Sequence, residues 1–161
     1  MLIDTRNFGQ VELPEDKVIN FKNGLIAFTE MKRFFLIENE DKDIPICWLQ
    51  SADDPDLSFA VVNPFMIKPG YEFELSAADR EELKIKSPDE VVVFSVVVLP
   101  EDIRQMTINL LAPLVINVQE KSGKQIVLQD RRYTINHSIL KELRSNERGG
   151  IADAGSDQEN K

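Results

Sequence analysis

From Leu2 to Leu128 the chain repeatedly strings together three to eight residues rich in Val, Ile, Leu and Phe and then breaks at Pro, Gly, Asn or Asp. That rhythm is the signature of short antiparallel strands joined by tight turns, and it leaves little room for helix. It predicts about eleven strands: Leu2–Thr5, Gln10–Leu13, Val18–Phe21, Phe34–Glu38, Trp48–Ser51, Ser58–Asn63, Phe73–Leu75, "VVVFSVVVLP" from Val91, Met106–Leu110, "LVINVQ" from Leu114, and Gln125–Leu128. The run from Val91 is apolar at nearly every position, so it is expected to be covered on both faces and to lie centrally. "EKSGK" reads as a five-residue hairpin connection in which Gly123 supplies a positive φ. So many strands with so few helices imply a mainly β fold that hides its edges, either a small antiparallel barrel or a barrel-like sandwich.

Two short helices punctuate this pattern. In "SAADREEL", Ser76 is placed to cap a helix ending near Leu83, with Asp79 in its first turn. A second helix is expected from Ile139 to Arg144. Beyond it, "SNERGGIADAGSDQENK" is poor in bulky apolar residues. We therefore expect one domain over residues 1–140 and a disordered tail over residues 141–161. With 161 residues, 42% of them hydrophobic, the chain can bury one real core.

Charge narrows the possible partners. The chain carries 19 basic and 28 acidic residues, a net charge of minus 9. The segment Lys141–Lys161 has four basic and five acidic residues, so minus 8 belongs to the folded body. Such a body repels phosphate backbones and anionic membranes and attracts cationic proteins. No stretch approaches the roughly 18 apolar residues needed to span a bilayer, and "MLIDTRNFGQ" lacks a signal pattern, so a cytoplasmic protein is expected. The one cysteine, Cys47, beside Trp48, reads as a small buried side chain rather than half of an internal disulfide.

Groups for chemistry are scarce. One histidine, His137, stands near the edge of the expected fold, and Cys47 has no basic neighbour in sequence to activate it. No phosphate loop, nucleophile elbow or dinucleotide fingerprint is present. The densest polar cluster is "SADDPDL", with Asp53, Asp54 and Asp56 around Pro55. Measured against a calcium loop starting at Asp54, the ligand positions fall on Asp56 and Ser58, but the glycine position holds Phe59 and the closing glutamate position holds Phe65. With one Cys and one His, zinc has no ligand set either. We expect no enzyme, no metal and no cofactor. Asp and Pro form turns, yet three like charges within four residues repel one another, and a cationic partner would relieve them. The one locally basic stretch, "DRRYT" with Arg131, Arg132 and Tyr133, is too short to make a nucleic-acid groove. Asn109, amid apolar residues, is expected to bond backbone.

Three blocks are recognisable as well as readable: "WLQSADDPDLSFAVVNPF" (Trp48–Phe65), "YEFELS" (Tyr71–Ser76) and "MTINLLAPLVIN" (Met106–Asn117). With "FGQVELPEDKVINFKNGLIAF" and its Gly9 and Gly24, they resemble the flagellar assembly factor family known as FliW, in order from about Ile3 to Leu128. The tail after about His137 departs from it. The resemblance implies a small antiparallel β-barrel and a non-enzymatic cytoplasmic protein. It also implies two partners in competition: flagellin before its export, and the carbon storage regulator, a dimeric RNA-binding repressor of translation. Accumulating flagellin would then free the regulator to silence flagellin messenger RNA, coupling translation to secretion. We expect no direct nucleic-acid ligand and no membrane, and a monomer when unbound.

For the partner surface we select Asp53, Asp54 and Asp56 with Glu72 and Glu74, and Phe65 and Tyr71 as apolar contacts, because interfaces join aromatic anchors to a polar rim. The alternatives are that both aromatics belong to the core, and that the acidic body serves a different basic partner.

Overall fold

The computed structural model describes residues 1–153, and side chains as far as Glu147. Eleven strands form: β1 (Leu2–Thr5), β2 (Gly9–Glu12), β3 (Ile19–Phe21), β4 (Arg33–Glu38), β5 (Ile46–Ser51), β6 (Ser58–Val62), β7 (Val91–Val98), β8 (Thr107–Ile108), β9 (Leu114–Asn117), β10 (Ser122–Gln125) and β11 (His137–Ser138). Three α-helices accompany them: α1 (Pro64–Ile67), α2 (Ala77–Glu82) and α3 (Ile139–Asp153). Strands pair in the order β7-β6-β5-β4-β3-β10-β9, and β9 pairs back onto β7, which closes a barrel. The seam between β3 and β10 is parallel and only two residue pairs long, whereas the other barrel seams are antiparallel. The open question of barrel or sandwich is thus settled as a barrel.

Alternation along each strand sorts the apolar residues into three cores. Phe21, Phe34, Leu49, Val61, Leu114 and Ile116 fill the barrel interior, with Phe59, Phe94 and Val96 against them. The alternate residues of β6 and β7, Ala60, Val62 and Val97, face outward into a second core with Ile67, Tyr71, Leu110, Tyr133 and Ile139. On the outside of β4, Phe35 is covered by the β1–β2 hairpin through Ile3 and Leu13, with Val18 beside them. This explains the unbroken apolar run of β7. At its middle, Phe94 and Val96 serve the interior while Val97 serves the outer core, so both faces are covered as expected; at its ends Val92 and Val98 are exposed.

Several local expectations follow the sequence closely. Ser76 Oγ accepts from the Asp79 amide at 3.0 Å and caps α2. Asn109 Oδ1 accepts from the amides of Leu111 and Ala112 at 3.1 and 3.0 Å. Others are corrected. The hairpin after β9 turns earlier than expected, so β10 ends at Gln125, and beyond it the Ile126 and Leu128 amides still donate to the Pro113 and Leu111 carbonyls at 2.9 and 2.8 Å. The positive φ of that turn falls on Lys121, at 54°. Gly123 lies inside β10, and a Cβ there would sit 2.7 Å from the Phe21 ring, so glycine is needed for close approach rather than for turning. Phe73–Leu75 forms no strand; it is a connection without a ladder partner. In its place the two-residue β11 pairs with β8. Helix α3 runs past Arg144 to Asp153 through residues expected to lack structure, and the last eight residues of that tail lie outside the described ones.

Candidate functional site

The aspartate turn joins β5 to β6 and is held from below. Ser51 Oγ accepts from the amides of both Asp53 and Asp54, at 3.0 and 2.9 Å. Gln50, fully buried, points its Nε2 at the carbonyls of Ser51, Asp54 and Pro55 at 3.1 to 3.4 Å. Within that frame the three carboxylates have different tasks. Asp53 is gripped by Arg33 through both oxygens, the Nε–Oδ2 contact being 3.2 Å. Asp54 Oδ1 accepts from the Asp56 amide at 3.0 Å, a local turn bond. Asp56 is exposed, and its carboxylate takes no ion pair or side-chain hydrogen bond among the described residues. The expected self-repulsion is therefore relieved in part within the chain, by Arg33. Among the described residues no three His, Cys, Asp or Glu side chains converge to hold a metal ion.

The remaining selected residues lie elsewhere. Strand β6 separates the aspartate turn from Phe65, and five residues at about 3.4 Å each place the two groups roughly 15 Å or more apart. Asn63 Oδ1 caps α1 by accepting from the Phe65 amide at 2.9 Å, and Phe65 is left 43% exposed on that one-turn helix. Tyr71 is 3% exposed: its hydroxyl donates to the Leu110 carbonyl at 2.7 Å, and its ring meets Tyr133 edge-on with centroids 4.7 Å apart. Burial, with Tyr133 beside it, pushes the Tyr71 phenol well above its ordinary pKa. Of the two aromatics, then, Phe65 faces outward and Tyr71 belongs to the core. Glu72 reaches Arg132 at 3.3 Å, and Arg132 is also held by Asp130 and lies over the Tyr133 ring at 5.0 Å. Glu74 is exposed. Because Tyr133 is buried, the stretch "DRRYT" offers no aromatic face for a base to stack on.

Two open grooves of about 530 and 590 Å³ accompany these patches. One lies at a barrel mouth between β2, β4 and the start of β7, where Leu13, Phe35, Ile37 and Val92 meet the rim residues Lys17 and Lys121. The other runs beside Phe65 and is lined by Phe73, Val91, Val93, Val115 and Ile85, with Glu74, Arg80 and Lys86 among its polar residues. Neither groove was anticipated from sequence. A signal for the second was present: β6 stops before Pro64 while β7 extends well beyond its last pairing with β6, so part of β7 had to lie uncovered.

Potentially reactive groups are subdued by their surroundings. Cys47, half-buried on β5, has its thiol pKa raised by burial and by the charge of Glu38 across the ladder. His137 Nε2 lies 2.8 Å from Glu142 Oε1, and Glu142 also takes Lys68 at 3.2 Å, which ties the start of α3 to β11 and to the end of α1. Burial pushes the Glu142 pKa up, but the hydrogen bonds from His137 and Lys68 outweigh it and hold the group below the ordinary value. No helix among the described residues is long and apolar enough to cross a membrane.

Fold and surface together define a class: a small closed β-barrel with an accessory hairpin and a docked C-terminal helix, presenting an acidic turn and open apolar grooves. Within that class the chain belongs to the FliW family of flagellar assembly factors, whose family model matches residues 2–139. It is 39% identical to the flagellar assembly factor FliW of Alkaliphilus metalliredigens, over 98% of this chain and the whole of that relative. It is 40% identical to that of Caldanaerobacter subterraneus subsp. tengcongensis, over 90% of this chain and 97% of the relative. A crystal structure of the flagellar assembly factor FliW superposes with a TM-score of 0.82 at 32% identity, covering 87% of this chain and 97% of that one.

Proposed function

We propose that this flagellar assembly factor acts in the cytoplasm, without catalysis, by binding flagellin and, in competition with it, the carbon storage regulator. Flagellin held back from export would occupy the factor and free the regulator to repress flagellin translation; export would reverse the exchange. What carries this reading is family membership over almost the whole folded domain. The acidic body supports it, because a net charge of minus 8 favours encounter with a cationic RNA-binding protein.

For the contact surface we propose the aspartate turn, with Asp56 as its free charge, and the separate patch of Phe65, Glu72 and Glu74; Tyr71 supports that patch from within the core. Two patches at opposite ends of β6 suit two partners, or two segments of one. The test is to mix the purified chain with flagellin, with the regulator, and with both, and to follow complexes by size-exclusion chromatography and calorimetry. One-to-one exchange between partners is the expected result, and no complex with either overturns the proposal. Changing Asp53, Asp54 and Asp56 together to Asn should slow association with the regulator. An unchanged rate removes the turn from the contact surface without touching family membership.

A further inference from the structure

Strand β7 has more backbone to offer than its neighbours use. The Asn109 amide donates to the Val96 carbonyl from the side on which β8 and β9 lie, so even-numbered residues of β7 direct their backbone groups to that side. Antiparallel pairing alternates, so Val91 and Val93 direct theirs the other way, toward β6. The β6 ladder, however, ends at Val62↔Ser95. Two residues further, opposite Val93, stands Pro64, which has no N–H and starts α1, turning the chain aside. The amide and carbonyl of Val93 and the carbonyl of Val91 are therefore left without a strand partner, while the Val91 amide donates back to the Pro88 carbonyl.

Val91 and Val93 both line the groove beside Phe65. Phe73 and Glu74, which line the same groove, have the alternating pattern of a strand, and among the described residues neither makes a backbone hydrogen bond. Arg80 Nη1 donates to the Leu75 carbonyl at 2.6 Å and fixes the end of that segment. The groove thus brings together unpaired backbone from two segments over an apolar floor of Val93, Val115 and Phe73. Natural sheets cover, charge or shorten such edges, and here the edge is left open. A helix would satisfy its own backbone and leave these groups unpaired; an extended segment would pair with them.

Charge selects among extended segments. Arg80 and Lys86 line the groove with Glu74, and neither cation makes an ion pair among the described residues. The lining is therefore net positive in a body that carries minus 8. We propose that this groove is a strand-addition site: an extended segment of a partner protein, apolar at alternate positions and carrying a carboxylate toward Lys86, pairs its backbone with β7 at Val93 and at the Val91 carbonyl. The inference rests on the protein-binding reading above and specifies how one segment is held.

The test uses the full chain, nitrogen-15 labelled, titrated with short synthetic peptides tiling flagellin and the regulator, with amide hydrogen exchange as the readout. A peptide with alternating apolar residues and a carboxylate should slow exchange at the Val93 amide by about tenfold or more. Methylating its pairing amides, or Lys86→Glu in the chain, should weaken it by about tenfold. The proposal is overturned if no peptide slows that amide, or if the methylated peptide binds equally well. Complexes with the intact partners that leave the Val93 amide unchanged also overturn it while preserving the protein-binding reading. Intact partners that fail to bind overturn that reading instead, whatever the peptides do.

Discussion

At the scale of single residues, the aspartate turn divides into parts that build it and one that is free. Gln50 is fully buried and bridges three carbonyls, so Gln50→Ala leaves acceptors unpaired and is expected to destabilise the fold by about 1–3 kcal/mol, seen as a lowered Tm. Asp56→Asn removes only an exposed charge, so Tm should hold while association with a cationic partner slows. Equal Tm losses in the two variants would contradict this division. The sequence made the turn legible because Asp and Pro favour it locally. It did not reveal that Arg33, twenty residues away, neutralises Asp53, since that contact depends on the β4–β5 register, in which Phe34 faces Ser51. Tyr71 shows the same limit: its spacing from Phe65 is local, but its burial comes from Leu110 and Tyr133, brought in by distant segments.

At the scale of elements, strands were legible wherever burial alternates along one run, and were misplaced where a single residue decides. Gly123 looked like a turn glycine because Ser, Gly and Lys surround it; its neighbour Phe21, across the parallel seam, is invisible to local pattern. Gly123→Ala would press a methyl group against that ring in a seam of only two residue pairs. The expected result is a loss of about 1–3 kcal/mol with faster amide exchange in β10, and unchanged exchange would refute the seam's importance. Helix α3 outran its expected end because its anchor is tertiary: Glu142 with Lys68 and His137. Glu142→Ala should cost about 1 kcal/mol, a figure reduced for the 30% exposure of Lys68, and should loosen α3 in hydrogen exchange. Glu142 and Asp79, the latter lowered chiefly by its bond to Lys124, both have folded pKa values below their unfolded ones. Their contribution to stability is present above the ordinary carboxylate pKa of about 4 and is lost as pH falls through the lowered values. Tm measured down an acid series should therefore decline more steeply in the wild type than in a Glu142→Gln variant.

At the scale of the whole molecule, closure determines what the protein can offer. Once β9 returns to β7, the interior is filled by Phe21, Phe34, Leu49 and their neighbours, so recognition must occur on the outside. There the body presents excess negative charge, with Asp56 among its free carboxylates, while the groove beside Phe65 is locally positive. The two surfaces should respond differently to salt. Raising ionic strength screens exposed charges beyond about 10 Å at 0.1 M, so association with a cationic partner should slow markedly while dissociation changes little. Contacts made by an apolar segment in the groove should persist, because burial of apolar surface does not depend on screening. Measured by stopped flow across a salt series, an association rate indifferent to ionic strength would mean that the charge of the body does not steer its partner. The acidic surface would then serve solubility, and recognition would rest on the apolar groove.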